Sequence, residues 1–303
     1  MRTAGRGPKS ARPRFPSDRE APMQKALKKY AAFFTLPTLL AFAVAFLAPF
    51  LIGIYLSFTK FSTITDAQWV GFGNYAKAFE QGGDFLHSLG FTACFAAITI
   101  VSINGIAFLF ALMLTRKLRG TNFFRTVFFM PNLIGGIVLG YIWQLILNGV
   151  LYHVGQTVIS DATYGFWGLV VLVNWQMIGY MMVIYIAGIQ NVPQDLLDAA
   201  AVDGASSGQV LRHVTIPMVM PSITICLFLT LTNSFRLFDQ NLALTGGQPG
   251  KDSAMLALNI YQTFYGTPGY EGVGQAKAVV FFLLVAGIAL LQLRLTKRKE
   301  VEA

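Results

Sequence analysis

Polar amides and aromatic rings recur inside apolar stretches of this chain, in two groups. One is Asn174, Trp175 and Gln176, with Tyr180 one helical turn beyond. The other is TNSFRLFDQN, which supplies Asn233, Ser234, Arg236, Asp239 and Gln240. Polar groups within an apolar helix are costly unless they meet a cavity or a partner. Amides bond hydroxyl groups, and flat rings stack on the C–H faces of a sugar. Asn174, Trp175, Tyr180, Asn233, Ser234 and Arg236 are therefore candidates for the lining of a solute pathway. Two readings fit Asn233, namely a bond to another helix or a contact with solute. Two also fit Arg236, which stands three residues before Asp239 and four before Gln240, on one helical face. It could anchor its helix end through a local ion pair, or it could face the pathway. An arginine at a helix centre costs about 3 kcal/mol on insertion scales, so a place near the outer end, where it can snorkel, is expected.

Other chemistries find little support. His87, His153 and His213 are scattered, with no metal-ligand spacing. Cys94 and Cys226 both fall in apolar blocks and read as small core residues. No set of His, Asp or Ser stands at catalytic spacing at one membrane face. GGQPGKD, residues 246–252, departs from a phosphate loop in spacing and in having Asp252 where Ser or Thr is needed. No catalytic residue and no metal site is expected.

The elements that must position these groups are long and apolar. The chain has 303 residues, 54% hydrophobic and 12% charged, with mean hydropathy +0.56. About 20 apolar helical residues cross a bilayer. Such blocks occur at about 31–58, 90–114, 123–148, 165–190, 216–238 and 275–296. The fold class expected is an all-α polytopic membrane protein with about six transmembrane helices. In the third block Pro131 and Asn132 predict a kink, and Gly136 and Gly140 form a small-xxx-small pair suited to close packing within the chain.

The net charge of +9 is not spread as a nucleic-acid surface would be. Cations crowd before the first span, at the second connection (Arg116, Lys117, Arg119, Arg125) and after the last span (Arg294, Lys297, Arg298, Lys299). Every second loop is thus basic, which places both termini in the cytoplasm and the chain in the cytoplasmic membrane. Residues 1–22 read as a disordered basic cytoplasmic tail, 23–299 as the membrane domain, and 300–303 as a short C-terminal tail.

The connection 191–217 has its own design. Pro193 suits a first helical turn, and Asp195 and Asp198 suit a helix N-terminus. Ala199, Ala200 and Ala201 continue the helix, and Gly204 can take positive φ and end it. Ser206 or Ser207 can cap a second helix running to about Val214, after which Pro217 opens the fifth span. Two readings fit this helix–turn–helix: a knob for a cytoplasmic partner, or an amphipathic loop on the membrane surface.

The stretch is similar to the EAA loop of ABC-importer membrane subunits. Asp198, Ala199 and Ala200 stand at its Glu-Ala-Ala. Asp203, Gly204 and Ala205 stand at its Asp-Gly-Ala, and Ile216 and Pro217 at its closing aliphatic-Pro pair. Asp198 shortens the usual glutamate, and Gly208 and Leu211 stand where the family often has aromatics. Phe238-Asp239, with Leu244-Thr245-Gly246-Gly247-Gln248-Pro249, resembles the FD…LTGGxP stretch of the first permease subunit of sugar importers of the maltose and glycerol-3-phosphate type. VGFGNYAKAF, residues 70–79, resembles the family's VG-x-x-NY stretch.

The resemblance implies the type I importer permease fold and an ATP-driven mechanism. It implies that Asp198, Ala199, Ala200, Asp203, Gly204, Ala205, Leu211 and Pro217 couple to a nucleotide-binding ATPase subunit, Leu211 as the apolar knob. That subunit would hold ATP and Mg, leaving this chain without a cofactor and without enzymatic activity. The helix after the loop would line the pathway, in favour of Asn233. A second homologous permease subunit and an extracellular solute-binding protein would complete the system. Asp239, Thr245, Gly246, Gly247 and Pro249 would face the binding protein. The rival is a self-contained ion-coupled secondary transporter, which calls for a carboxylate deep in a span or an inverted repeat; the sequence displays neither.

Overall fold

Prolines and glycines decide where the apolar stretches bend and break. The computed structural model describes residues 20–80, 84–116 and 119–297. In chain order its helices are α1 (Glu20–Phe42), α2 (Ala48–Ser57), α3 (Gly73–Glu80), α4 (Asp84–Leu114), α5 (Thr121–Phe129), α6 (Gly136–Leu151), α7 (Ala162–Gln190), α8 (Gln194–Val202), α9 (Ser207–Val210), α10 (Ile216–Phe235), α11 (Asp239–Leu244), α12 (Leu256–Gly266) and α13 (Glu271–Lys297). A two-stranded antiparallel ribbon, β1 (Thr59–Lys60) and β2 (Gln68–Trp69), follows α2. Of the expected tail, residues 1–19 lie outside the described residues, and residues 20–22 belong to α1. Lys117, Arg298, Lys299 and 300–303 also lie outside them.

Six helical runs among the described residues are long and apolar enough to cross a membrane: Phe33–Ser57, Asp84–Leu114, Gly136–Val154, Ala162–Gln190, Ser207–Phe235 and Glu271–Lys297. The expected all-α, six-span class is what the chain adopts. Two spans differ in detail from the sequence reading. The third is broken rather than kinked. Proline has no N–H to give and its ring crowds the preceding turn, and here α5 stops at Phe129, a 3-10 turn covers Met130–Leu133, and α6 begins afresh at Gly136. The fifth starts nine residues before its expected boundary, at Ser207 rather than 216, because α9 runs on into α10. A π-helical segment, Leu211–Thr215, joins them, and the Ile216 N–H bonds the Leu211 carbonyl. This shift of register accommodates the N–H that Pro217 lacks. The same device precedes Pro49: a π segment at Ala43–Leu47 has its last bond from the Ala48 N–H to the Ala43 carbonyl.

The chain divides into two units at Gly53–Ile54. In the first, rings stack along one helical run, Phe42 on Phe46 at 5.2 Å and Phe46 on Phe50 at 6.5 Å. In the second, α7 is central: 61% of its apolar window is buried within the protein, against 6% for α13, which is left at the periphery. Asp161 caps α7 by accepting the Thr163 N–H at 2.7 Å, and hydrogen bonds from the Thr163 hydroxyl and N–H hold its carboxyl below the usual carboxylate value. Ile103 and Ala107 of α4, Leu172, Met181 and Met182 of α7, and Val219 and Cys226 of α10 form the packed core. Cys226 is buried as expected, whereas Cys94 is exposed. It stands beside Phe95 and Ala96, which are the buried neighbours on α4, so it lies off the packed face.

With lipid as apolar as leucine, packing and hydrogen bonds must hold such helices together. The Tyr185 hydroxyl donates to Asn104 Oδ1 at 2.8 Å, and Asn104 Nδ2 donates to Thr230 Oγ1 at 3.1 Å. Together they tie α7, α4 and α10. Tyr185→Phe removes the only donor described for that carbonyl oxygen. Its expected cost is roughly 0.6–2 kcal/mol, read as a lower melting temperature in detergent with no change of oligomeric state.

Candidate translocation cavity and coupling loop

The breaks in the third and fifth spans open onto one place. The Pro131 break frees the Ile134 carbonyl, which Gln176 Nε2 of α7 approaches at 3.4 Å. The fifth span stops at Phe235, and the chain restarts at Asp239 as α11. That short helix packs on α6 through the glycine pair. A Cβ on Gly136 would lie 2.8 Å from Asp239 Cβ, and one on Gly140 would lie 2.6 Å from Ala243 Cβ. Gln144 Nε2 then bonds the Leu244 carbonyl at 2.8 Å. The small-xxx-small pair thus serves packing within the chain, as its spacing suggests.

Between these elements lies a cavity of about 420 Å³, within the usual range for ligand sites. Its polar lining is Asn132, Gln176, Tyr180, Asn233, Arg236, Asp239 and Gln240. Gln240 Nε2 donates to Gln176 Oε1 at 2.8 Å, which fixes two of the amides. The side chains of Asn233 and Arg236 are exposed to the cavity and bond no other described residue. The reading of Arg236 as an ion-paired anchor does not hold. Among the described residues it has no carboxylate within salt-bridge reach, and the ion pair present is Lys251–Asp84 at 3.8 Å. It directly follows Phe235, the last residue of the fifth span. Gln176 and Tyr180, halfway along α7, line the same cavity.

The sequence groups therefore sort as follows. Asn233, Arg236 and Tyr180 come together. Ser234 does not join them; it is buried and its hydroxyl pairs with that of Thr99 at 2.9 Å, between α10 and α4. Asn174 Nδ2 returns to the Val170 carbonyl of its own helix at 2.8 Å. Trp175 points to a separate apolar groove with Ile178 and Pro131, and packs edge-on to Trp143 at 5.6 Å. Asp239, expected on the loop facing a binding protein, lines the cavity. Sequence reasoning left Asn132, Gln176 and Gln240 off its list of lining residues. All three were visible as polar groups in apolar runs, but a third-span break was needed to expose Asn132.

The rest of the LTGGQP stretch is a folded turn. Asn241, fully buried, donates to Thr245 Oγ1 and to the Ser253 carbonyl, each at 2.9 Å, and accepts the Met255 N–H at 2.9 Å. Thr245 and Gly247 are buried with it, and Gly246 and Gly247 supply positive φ of 59° and 86°. Pro249 is half-buried; Gln248, Gly250, Lys251 and Asp252 form the exposed tip.

At the other end of the fifth span the 191–217 stretch forms as a helix–turn–helix. Asp203 closes α8, and Gly204 turns the chain with φ 74°. The Gly204 N–H bonds the Ala201 carbonyl at 3.1 Å and the Ala205 N–H the Ala200 carbonyl at 3.0 Å, the paired bonds of a Schellman stop. Ser206 then caps α9 in a capping box, with Gln209 Oε1 accepting the Ser206 N–H at 2.8 Å. Asp198 is exposed and accepts from Gln194 Nε2 at 3.0 Å. Ala199, Asp203 and Gly204 are exposed, and Ala200 and Ala205 half so. Leu211, expected as the apolar knob, is half-buried in the π segment, and Val202 at 88% exposure is the apolar residue most open to solvent. Pro217 lies inside a continuous helical run rather than at the head of a new one.

A polytopic helical bundle with a polar cavity halfway through it and a structured loop at one end is the architecture of a transport permease. Residues 103–301 match the family of the binding-protein-dependent transport system inner membrane component, and the chain belongs to that family. It is a multi-pass membrane subunit of such a system. The chain is 47% identical over 282 residues to a probable starch degradation products transport system permease protein, AmyD, of Thermoanaerobacterium thermosulfurigenes, covering 89% of this chain and 94% of that one. It is 29% identical to the multiple sugar-binding transport system permease protein MsmF of Streptococcus mutans, over 92% and 99% of the two chains. Its fold matches a chain of a bacterial ABC transporter involved in the import of the acidic polysaccharide alginate, with TM-score 0.77, 19% identity, and 91% and 99% coverage.

Proposed function

We propose that this chain forms half of the translocation pathway of an ATP-driven ABC importer for a sugar or sugar-like solute. The observation that carries this reading is the cavity in which Asn233 and Arg236 stand unpaired, at the end of a helical run that begins in the exposed loop. Amides, a guanidinium and a phenol suit a polyhydroxylated solute, and the names of AmyD and MsmF agree with that class. A second homologous permease would close the cavity from the other side. An extracellular binding protein would deliver solute, and the exposed tip Gln248–Asp252 is the part of the fifth connection that it could reach. Both termini and the 191–217 loop would be cytoplasmic, in keeping with the charge of the loops.

The ATPase activity, with its ATP and Mg, would reside in separate cytoplasmic subunits. ATP binding would close them on the α8–α9 element, the spans would rock to open the cavity outward, and hydrolysis would restore the inward-facing state. A partner drives such a change only through contacts that differ between the two states, and exposed Asp198, Val202 and Asp203 are where those contacts would form.

Tagging the chain in its own cell, extracting it in mild detergent and identifying its companions tests the assembly. A soluble ATPase and a second six-span chain are expected. Recovery of this chain alone, under conditions that preserve known complexes, would return the self-contained transporter to the front. The cavity has its own test. Asn233→Leu in the reconstituted complex is expected to reduce solute uptake about tenfold, the loss of one well-placed hydrogen bond, with basal ATP hydrolysis retained. Unchanged uptake would remove Asn233 from the pathway.

A further inference from the structure

Five aromatic rings gather where the first span ends. Tyr55 lies in the last turn of α2, Phe58 directly after it, Trp69 on β2, Phe72 at the entry to α3, and Tyr75 within α3. Phe58 is the hub. It stacks on Trp69 at 5.5 Å, meets Phe72 edge-on at 5.3 Å and tilts against Tyr75 at 5.2 Å. Trp69 also contacts Tyr55 at 6.1 Å. Such a cluster usually belongs to a core, yet Tyr55, Trp69 and Phe72 are 53%, 65% and 74% exposed.

The cluster is held rigidly. Asn74 Nδ2 donates to the Ser57 and Thr59 carbonyls at 2.9 and 2.8 Å, and the Tyr75 and Ser57 hydroxyls pair at 2.7 Å. The backbone of α13 comes close beneath, since a Cβ on Gly272 would collide with the Thr59 carbonyl and Asn74. An organised and exposed aromatic platform is built to meet something apolar on one side and polar on the other.

We infer that Tyr55, Phe58, Trp69, Phe72 and Tyr75 form an interfacial anchor that lodges in the headgroup–acyl boundary of the bilayer. Three observations favour lipid over a protein partner. Tyr55 lies in the last turn of a helical run long and apolar enough to cross a membrane, and Trp69 packs on it. The same side of the bundle carries further exposed rings at span ends: Tyr152 after α6, and Tyr164 and Trp167 in the first turns of α7. Aromatic girdles of this kind mark the membrane–water boundary. Lys60 and Lys77 flank the platform and are exposed; long cationic side chains at this depth reach phosphates while their stems stay with lipid.

The test uses the full chain in phosphatidylcholine vesicles carrying a doxyl quencher either at carbon 5 or at carbon 12 of an acyl chain. The four tryptophans are Trp69, Trp143, Trp167 and Trp175, so Trp143, Trp167 and Trp175 are replaced by Phe to leave Trp69 as reporter. Quenching at least twofold stronger by the shallow probe than by the deep one is expected. Efficient quenching by aqueous iodide with none from either lipid would overturn the inference, because the platform would then stand in water. Protection from all three quenchers would overturn it too, because protein would then cover it. Should the triple variant misfold, Trp69→Phe in the otherwise native chain decides. Loss of a shallow-quenched component relative to the native chain supports the anchor, and identical profiles refute it.

Discussion

Replacing Gly204 with valine is expected to leave the protein inserted and assembled but to disconnect ATP hydrolysis from solute uptake. No atom lies within 4 Å of the Cβ that a side chain would add there, so crowding is not the cause. The cause is the backbone. Gly204 turns with φ 74°, a region that costs an ordinary L-residue about 1–2 kcal/mol and a β-branched one more. The chain relieves this by giving up the paired bonds to Ala200 and Ala201, and α8 then loses its fixed angle to α9. In proteoliposomes with the complete set of subunits, uptake per ATP hydrolysed should fall about tenfold, in keeping with a loss of 1–2 kcal/mol in one coupling state. Gly204→Asn should keep most of the coupling, since asparagine tolerates the left-handed region. A valine variant that transports at the native ratio would sink the coupling role of this turn.

The second large effect is structural. Gly179 sits in the middle of α7 where the end of α5 crosses it, and a Cβ there would collide with the Phe128 carbonyl and lie 2.8 Å from Phe129 N. Backbone cannot step aside as a flexible side chain can, so the two helices must separate. Gly179→Val should cost more than about 3 kcal/mol, at the upper end of overpacking effects and a large share of ordinary stability. The expected result is loss of the monodisperse peak in detergent size-exclusion and a much reduced yield. Gly149→Ala is the control, because nothing lies within 4 Å of its Cβ; it should behave as the native chain. Normal yield and melting temperature for Gly179→Val would show that α5 is free to shift.

The six apolar runs and the helix–turn–helix after the fourth of them were legible because their signals are local. Hydropathy is a sum over neighbours, and Gly204 and Ser206 act within a few residues of themselves. The cavity was half legible. Asn233 and Tyr180 announced themselves as polar groups in apolar helices, but so did Ser234 and Asn174, and only tertiary contact separates them. Ser234 finds Thr99 across 135 positions of chain, which no local pattern encodes. The openness of Val202 was not legible for a related reason. Exposure of an apolar residue beside a turn depends on the angle of α8, not on its neighbours in sequence. The start of the fifth span was misplaced because a proline at 217 looked like a beginning, while the π segment before it let the helix run through.

That uninterrupted run from Ser207 to Phe235 has a mechanical meaning. At 1.5 Å per residue it is a rod roughly 40 Å long, with the capped turn at one tip and the cavity-lining amide of Asn233 at the other. A tilt of about 5° about its base would swing the far tip by about 3.5 Å, on the scale of a hydrogen bond made or broken. The two ends keep time because they are the same object, as the ends of an oar do, with the register slip at Leu211–Thr215 as its grip.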